Sequence, residues 1–250
     1  MSFRPEEKPR GAFWPALLVA LLVVTAVVAV HPGDATLTLR RMVGIDGERL
    51  AAARQVEAGT GSYSFLMTQR GRDAPVAYDP CRTIEVVINP DGAPPNWLEL
   101  VDTSIERTEE ATGLVFDVLG TTDRRDFALT GVGARRKPVL VGWATPDELP
   151  ALAGDVAGIA GSVAVEVHPG RLRYVTGTVT LDRNLFEKYA DSADDQAFAQ
   201  AIVDHEFAHL VGLGHVDDER ELMNEDNLGV TAYGPGDLEG LARLGSVRCD

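Results

Sequence analysis

The run His205-Glu206-Phe207-Ala208-His209-Leu210-Val211-Gly212-Leu213-Gly214-His215 constrains this chain more than any other stretch. Histidines at i and i+4 project from one face of a helix, one turn apart. Both imidazoles can then reach a single zinc ion at about 2.0–2.1 Å. A straight helix offers no third nitrogen in tetrahedral geometry, so the chain must change direction. Gly212 and Gly214 permit that change, because glycine tolerates the left-handed conformation that ends a helix. His215 can then swing back towards the ion. Three neutral imidazoles leave a fourth position for water, which marks a catalytic rather than a structural site. Three of the five histidines in the chain fall in this one register.

Glu206 follows the first histidine and lies about 100° round the helix from it. From there its carboxylate can face a zinc-held water, whose pKa falls towards roughly 7. A base so placed takes the water's proton as the hydroxide attacks a polarised carbonyl, then passes it to the leaving amine. These are the parts of a peptide-bond hydrolase, a zinc-dependent endopeptidase with Glu206 as its catalytic residue.

Composition narrows the setting. The 250 residues carry 38 acidic against 23 basic side chains, a formal charge of −15. Such a chain repels phosphate backbones, which argues against nucleic acid as a partner. Hydrophobic residues at 45% and charged residues at 24% are globular averages and exclude wholesale disorder.

The amino end reads differently from the rest. Gly11 to Val30 contains no charge, and a helix of that length spans about 30 Å, the hydrocarbon thickness of a bilayer. Pro15 falls in its first turn, where a missing donor is tolerated. Arg4, Lys8 and Arg10 precede it, and no Lys or Arg follows until Arg40. That bias predicts a cytoplasmic tail over 1–10, a single-pass transmembrane anchor over 11–30, and everything beyond it outside the cell. The rival is a cleaved signal with Val27 and Ala29 before the cut, which makes the protein secreted; a cleavable core is usually shorter, about 7–15 residues. Residues 31–60 read as a stem, with a possible helix around Glu48–Val56, and 61–250 as the catalytic domain. Cys81 and Cys249 are the only cysteines, and in an oxidising compartment such a pair usually closes a disulfide.

Along the exported part, Ser62–Thr68 alternates Tyr63, Phe65 and Met67 on one face of a strand. Thr83–Ile88 is a second strand, closed by Asn89-Pro90-Asp91-Gly92. Asn96 with Glu99 reads as a capping box for a helix carrying Leu98, Val101 and Ile105 up to Gly113. Leu114–Leu119 and Pro138–Trp143 are short apolar runs, and Val163–Val167 with Leu172–Leu181 bracket a His168-Pro169-Gly170 turn. Ser192 with Asp195 opens the helix of Gln196–Val211, and a last helix covers Asp237–Leu244. The expectation is an α/β (α+β) domain: a mixed twisted sheet with two long helices, one of them the zinc helix, and a C-terminal helix.

At this point the chain resembles the metzincin zinc peptidases, whose motif is followed by a methionine-containing turn. Met223, in Glu221-Leu222-Met223-Asn224, stands eight residues after His215. The resemblance implies that Met223 forms a hydrophobic floor under the imidazoles. In element order, with a last helix after Gly234-Pro235-Gly236-Asp237, Thr83–Gly245 looks like a matrixin catalytic domain within a zincin-like fold. It departs from matrixins at Val216, where they commonly carry serine. Asp79-Pro80-Cys81-Arg82 matches their latency thiol only loosely, so Cys81 reads as a disulfide half. Glu225 stands where some metzincins place a tyrosine ligand. The family's second, structural zinc needs further histidines, and only His31 and His168 remain. In the family an extended peptide pairs with an edge strand, which puts Ile159, Ala160 and Gly161 beside the substrate.

Eight acidic residues and one Arg lie between Asp204 and Asp226. They suit a solvated surface, a calcium-holding loop from Asp217, Asp218, Glu219 and Glu221, or a preference for basic peptides. Two other readings of the motif stay open: a catalytically inactive zinc-containing binding module, and a zincin of another clan with Glu219 or Glu221 as third ligand.

Overall fold

A computed structural model describes residues 49–59, 61–128, 137–189, 193–226 and 229–249. The apolar segment 11–30 and Ser192, the expected cap, lie outside them. Among the described residues, no helix is long and apolar enough to cross a membrane. The compact unit runs from Arg49 to Cys249.

The unit is mixed α+β. Strand β1 (Ser64–Phe65) is followed by β2 (Ile84–Asn89), helix α1 (Trp97–Thr112), β3 (Phe116–Thr121) and β4 (Val139–Ala144). After a short 3₁₀ turn come β5 (Gly158–His168), β6 (Arg171–Asp182), α2 (Arg183–Lys188), α3 (Ala193–Val211), β7 (Leu213–Gly214) and α4 (Pro235–Gly245). Five strands form one twisted sheet in the order β3-β2-β4-β6-β5. Its first four strands are parallel, and β5 runs antiparallel to β6 along one edge. The hairpin turns at Gly170, with φ 75°.

Alternation along the strands divides the core between the two sheet faces. Val139, Val141 and Trp143 of β4 join Ile84, Val86 and Ile88 in the larger cluster, together with Val101 and Ile105 of α1 and Val203, Phe207 and Leu210 of α3. Leu140 and Ala144 point the other way, to a smaller cluster with Phe127 and Leu152. Strand β4 is buried along its whole length, as a central parallel strand covered on both faces should be.

Helix α3 is braced by a polar seam. The Asp204 carboxylate, fully buried, accepts from Ser104 Oγ of α1 at 2.6 Å and from Arg107 at 2.5 Å. Gln200 donates to the same carboxylate and to Leu100 O, and the Tyr233 hydroxyl donates to Asp204 O at 2.7 Å. Neutralising a buried carboxylate by paired donors makes burial tolerable. Asp204 immediately precedes His205, so the seam fixes the helix next to its first histidine.

Several expectations are corrected. No helix forms over 49–56; that segment is irregular and lies along α4, with Arg49 donating to Gly245 O and Val247 O and Gly59 N donating to Glu239. Asn96 stands at the N-cap position of α1 but makes no side-chain capping bond; a Pro94 carbonyl takes the Trp97 amide instead. Leu98 is exposed, so the buried stripe of α1 runs through Leu100, Val101, Ser104, Ile105 and Thr108. The first strand is only two residues long, and Met67 lies outside it and is exposed. The Cys81–Cys249 disulfide forms, tying the chain's end to the approach to β2.

Candidate metal centre

Helix α3 ends as its glycine requires. Gly212 has φ 125°, and its amide bonds back to Ala208 O at 3.0 Å. Gly214 is not left-handed; a Cβ there would lie 2.6 Å from Ser64 Oγ, so this glycine serves close approach of β1. Strand β7 pairs antiparallel with β1, the Leu66 amide donates to Gly212 O, and Ser64 Oγ donates to His215 O at 2.8 Å. Thus β1, far away in sequence, holds the returning segment that carries His215.

The three imidazoles converge. His215 Nε2 lies 3.1 Å from His205 Nε2 and 3.0 Å from His209 Nε2. His205 Nδ1 bonds Leu222 O at 2.8 Å and His209 Nδ1 bonds Leu213 O at 2.7 Å. A carbonyl can only accept, so both Nδ1 atoms carry their protons, and both Nε2 atoms present lone pairs. Burial pushes His205 down to about 4 and His209 down to about 3, so both rings are neutral at pH 7. His215 can donate one hydrogen at most, which leaves a surplus of acceptors at the meeting point. A tetrahedral zinc ion needs ligand nitrogens about 3.3 Å apart. The donor set therefore fits a divalent metal ion, with the Nδ1–carbonyl bonds fixing ring orientation as at known metal centres.

The Met223 segment holds this arrangement from its backbone. Leu222 O takes the His205 ring, and Met223 O takes the Val216 amide at 3.0 Å, next to His215. Met223 itself is fully buried in the main core cluster. The segment is anchored in turn by Asp237 of α4, which accepts from Leu222 N at 2.6 Å, Gly234 N at 2.9 Å and Met223 N at 3.4 Å. Glu221 is turned away from the histidines: its carboxylate accepts from the Gly236 and Asp237 amides at the start of α4, where the helix dipole favours an anion. Glu219 is exposed. Neither joins the three nitrogens, whereas His215 does.

Glu206 is 5% exposed, and its Oε2 makes no hydrogen bond among the described residues. Burial pushes its carboxyl up to about 8. Its side chain packs on Gly158 of β5, where a Cβ would come within 2.8 Å of Glu206 Cγ. Glu206, His205, His209 and His215 line a cavity of about 650 Å³ together with Ile159 and Ala160 of the edge strand. Gly161, the third residue expected beside a substrate, does not line it; its carbonyl faces Gly177 of β6 instead.

Sequence reasoning missed Asp204, Asp237 and β1 as supports of the site. The signal for Asp237 was legible: an Asp at the third position of a helix opened by Gly-Pro-Gly is placed to accept from backbone amides.

No protein-family model matches the chain, and no curated protein matches it. Among solved structures it is similar to archaemetzincin from Methanopyrus kandleri, at 15% identity with a TM-score of 0.42, covering 65% of this chain and 95% of that one. It is also similar to a chain in the GM1-bound form of the ECX AB5 holotoxin, at 11% identity with a TM-score of 0.37, covering 65% and 80%. Overlaps this loose leave the chemistry to be argued from the side chains alone.

Proposed function

We propose that this chain is a zinc-dependent endopeptidase of the metzincin type, matrixin-like in its element order and zincin-like in fold. One observation carries the reading: three imidazole nitrogens meet beside a buried, unpartnered carboxylate at the wall of a cavity. His205, His209 and His215 hold the ion, and Met223 belongs to the turn beneath. When bound, zinc supplies Lewis acidity, acidifies water and, as a dication, favours the ionised form of a nearby carboxyl. Glu206 takes the proton of the attacking water and delivers it to the amine as the peptide C–N bond breaks. The substrate backbone lies along β5, whose outer edge has no partner strand among the described residues. A binding module without catalysis would have no chemical use for a buried carboxylate in this place.

The setting belongs to the same proposal. Residues 11–30 anchor the protein, with its N-terminus cytoplasmic and the catalytic domain outside, and the disulfide supports an oxidising compartment. The test is Glu206→Gln. Zinc content should stay at one equivalent while casein hydrolysis falls by at least about a hundredfold, the scale of general-base catalysis. Undiminished hydrolysis by that variant would remove Glu206 from the chemistry, and a protein without bound zinc would remove the class altogether.

A further inference from the structure

The cavity at the three histidines has a charge pattern that their chemistry does not use. Asp155, on the segment leading into β5, and Glu225 and Asp226, just past Met223, all line it. All three are exposed, and among the described residues none of their carboxylates forms an ion pair or hydrogen bond. The described lining contains no Lys or Arg. Within the same cavity the Glu206 carboxylate is buried and also unpartnered. The remaining wall is apolar, with Leu66 and Val156 exposed beside Ile159 and Ile202.

The acidic residues of 204–226 do not act together, although they cluster in sequence. Asp204 is held by Ser104 and Arg107, Asp218 by Arg220, and Glu221 by the amides of α4. That disposition turns Asp218 and Glu221, two of the four carboxylates expected in a calcium-holding loop, to partners within the chain. Only Glu206, Glu225 and Asp226 reach the cavity, and Asp155 joins them from the far side of β5 and β6 in sequence. A cleft lined by one sign of charge on apolar walls concentrates its field and selects the opposite charge.

We infer that the cavity selects peptides bearing Lys or Arg near the bond to be cut, with Asp155, Glu225 and Asp226 as the specificity-determining carboxylates. The inference rests on the peptidase reading for the cut itself, but not for the binding. A cationic side chain is met by carboxylates that have no internal partner to give up. Its aliphatic stem lies on the apolar wall, as long basic side chains do.

The experiment uses the full-length, zinc-loaded Glu206→Gln chain, so that peptides bind without turnover. Fluorescence anisotropy compares three labelled decapeptides that differ only in carrying Lys, Gln or Glu at the same two positions. The Lys peptide should bind roughly tenfold more tightly than the Gln peptide, with the Glu peptide weakest, since each exposed pair contributes about 1.5- to 5-fold. The ratio should shrink at high salt. Asp155→Asn/Glu225→Gln/Asp226→Asn in the same background should bring the three peptides within about twofold of one another. Asp155→Lys alone should shift the ratio towards the Glu peptide, so the inference does not depend on how the triple variant folds. Equal binding of all three peptides overturns it. So does discrimination that survives both variants, because attraction to the net charge of −15 would behave that way. Calcium binding lost in the triple variant, with peptide selection unchanged, would give the carboxylates to a cation instead. Casein cleavage by the wild-type chain with no charge selection leaves the peptidase standing and overturns this inference; charge-selective binding without cleavage does the reverse.

Discussion

At the scale of single residues, the site depends on groups that touch no metal. Asp237 is the clearest. Its carboxylate holds the amides of Leu222, Met223 and Gly234, and Leu222 O in turn orients His205. Asp237→Ala leaves those buried donors without an acceptor, at about 1–3 kcal/mol each before relaxation. The expected outcome is a loss of about 3 kcal/mol in denaturant unfolding and a 10- to 100-fold weaker zinc affinity. Burial also pushes the Asp237 carboxyl from 3.8 up to about 6. A folded-state value above the unfolded one means that the folded chain binds the extra proton. The contribution to stability is full below about pH 4 and is lost as pH rises through 6. In the metal-free chain, stability measured from pH 4 to 7 should fall relative to Asp237→Asn, which has no such titration; parallel profiles would show that the three amide bonds outweigh burial. The histidine register was legible because all three rings lie within eleven consecutive residues, two placed by helical geometry and the third by the turn at Gly212. Asp237 was legible as an acceptor for the Gly234 amide three positions earlier, but its bonds to Leu222 and Met223 reach 15 and 14 positions back to amides that no local pattern marks.

At the scale of elements, close helix contacts replace what side chains alone would do. Gly245, at the end of α4, meets the end of α1: a Cβ there would lie 1.8 Å from Thr112 O. A backbone oxygen cannot swing aside as a flexible side chain can. Gly245→Ala should therefore force α4 off α1 and cost about 3 kcal/mol, the upper end for overpacking. Since α4 carries Asp237, zinc affinity should weaken along with the unfolding midpoint. A stable variant with unchanged affinity would mean that the two helices separate without disturbing the Met223 segment. Here the sequence spoke well for existence and poorly for contact. The 3.6-residue period located α1, α3 and α4, and alternation with short apolar runs located β2 to β6, because each pattern is local. Leu98 was read as buried since it falls at helical spacing from Val101 and Ile105, yet the face that α1 buries runs through Leu100, Val101, Ser104 and Ile105 and leaves Leu98 in solvent. Alternation over 62–68 placed β1 but overstated its length, since only Ser64 and Phe65 pair. It exists through its pairing with β7, and Ser64 acts on His215 across 151 positions.

At the scale of the whole molecule, one covalent tie closes nearly all of the described chain. Cys81 and Cys249 are 168 residues apart, and the loop between them contains every histidine ligand, Glu206 and the five-stranded sheet. In the chain-entropy account, bridging a loop of this length restricts the unfolded ensemble by about 5 kcal/mol, with the folded state little changed. Arg171 and Arg173 donate to the Arg248 carbonyl beside the bridge, so the terminal segment keeps non-covalent anchors when the disulfide is absent. Cys81→Ser/Cys249→Ser should therefore lower Tm by roughly 10–20 °C for a domain of this size. Zinc content and hydrolysis per folded molecule should be preserved at low temperature, because the bridge bonds none of the groups that orient the three rings. The same chain kept under reducing conditions should behave like the double variant. A loss of zinc affinity larger than the loss of stability would instead make the bridge part of the site's geometry, acting through Val247 O and the Arg49 contact to the end of α4.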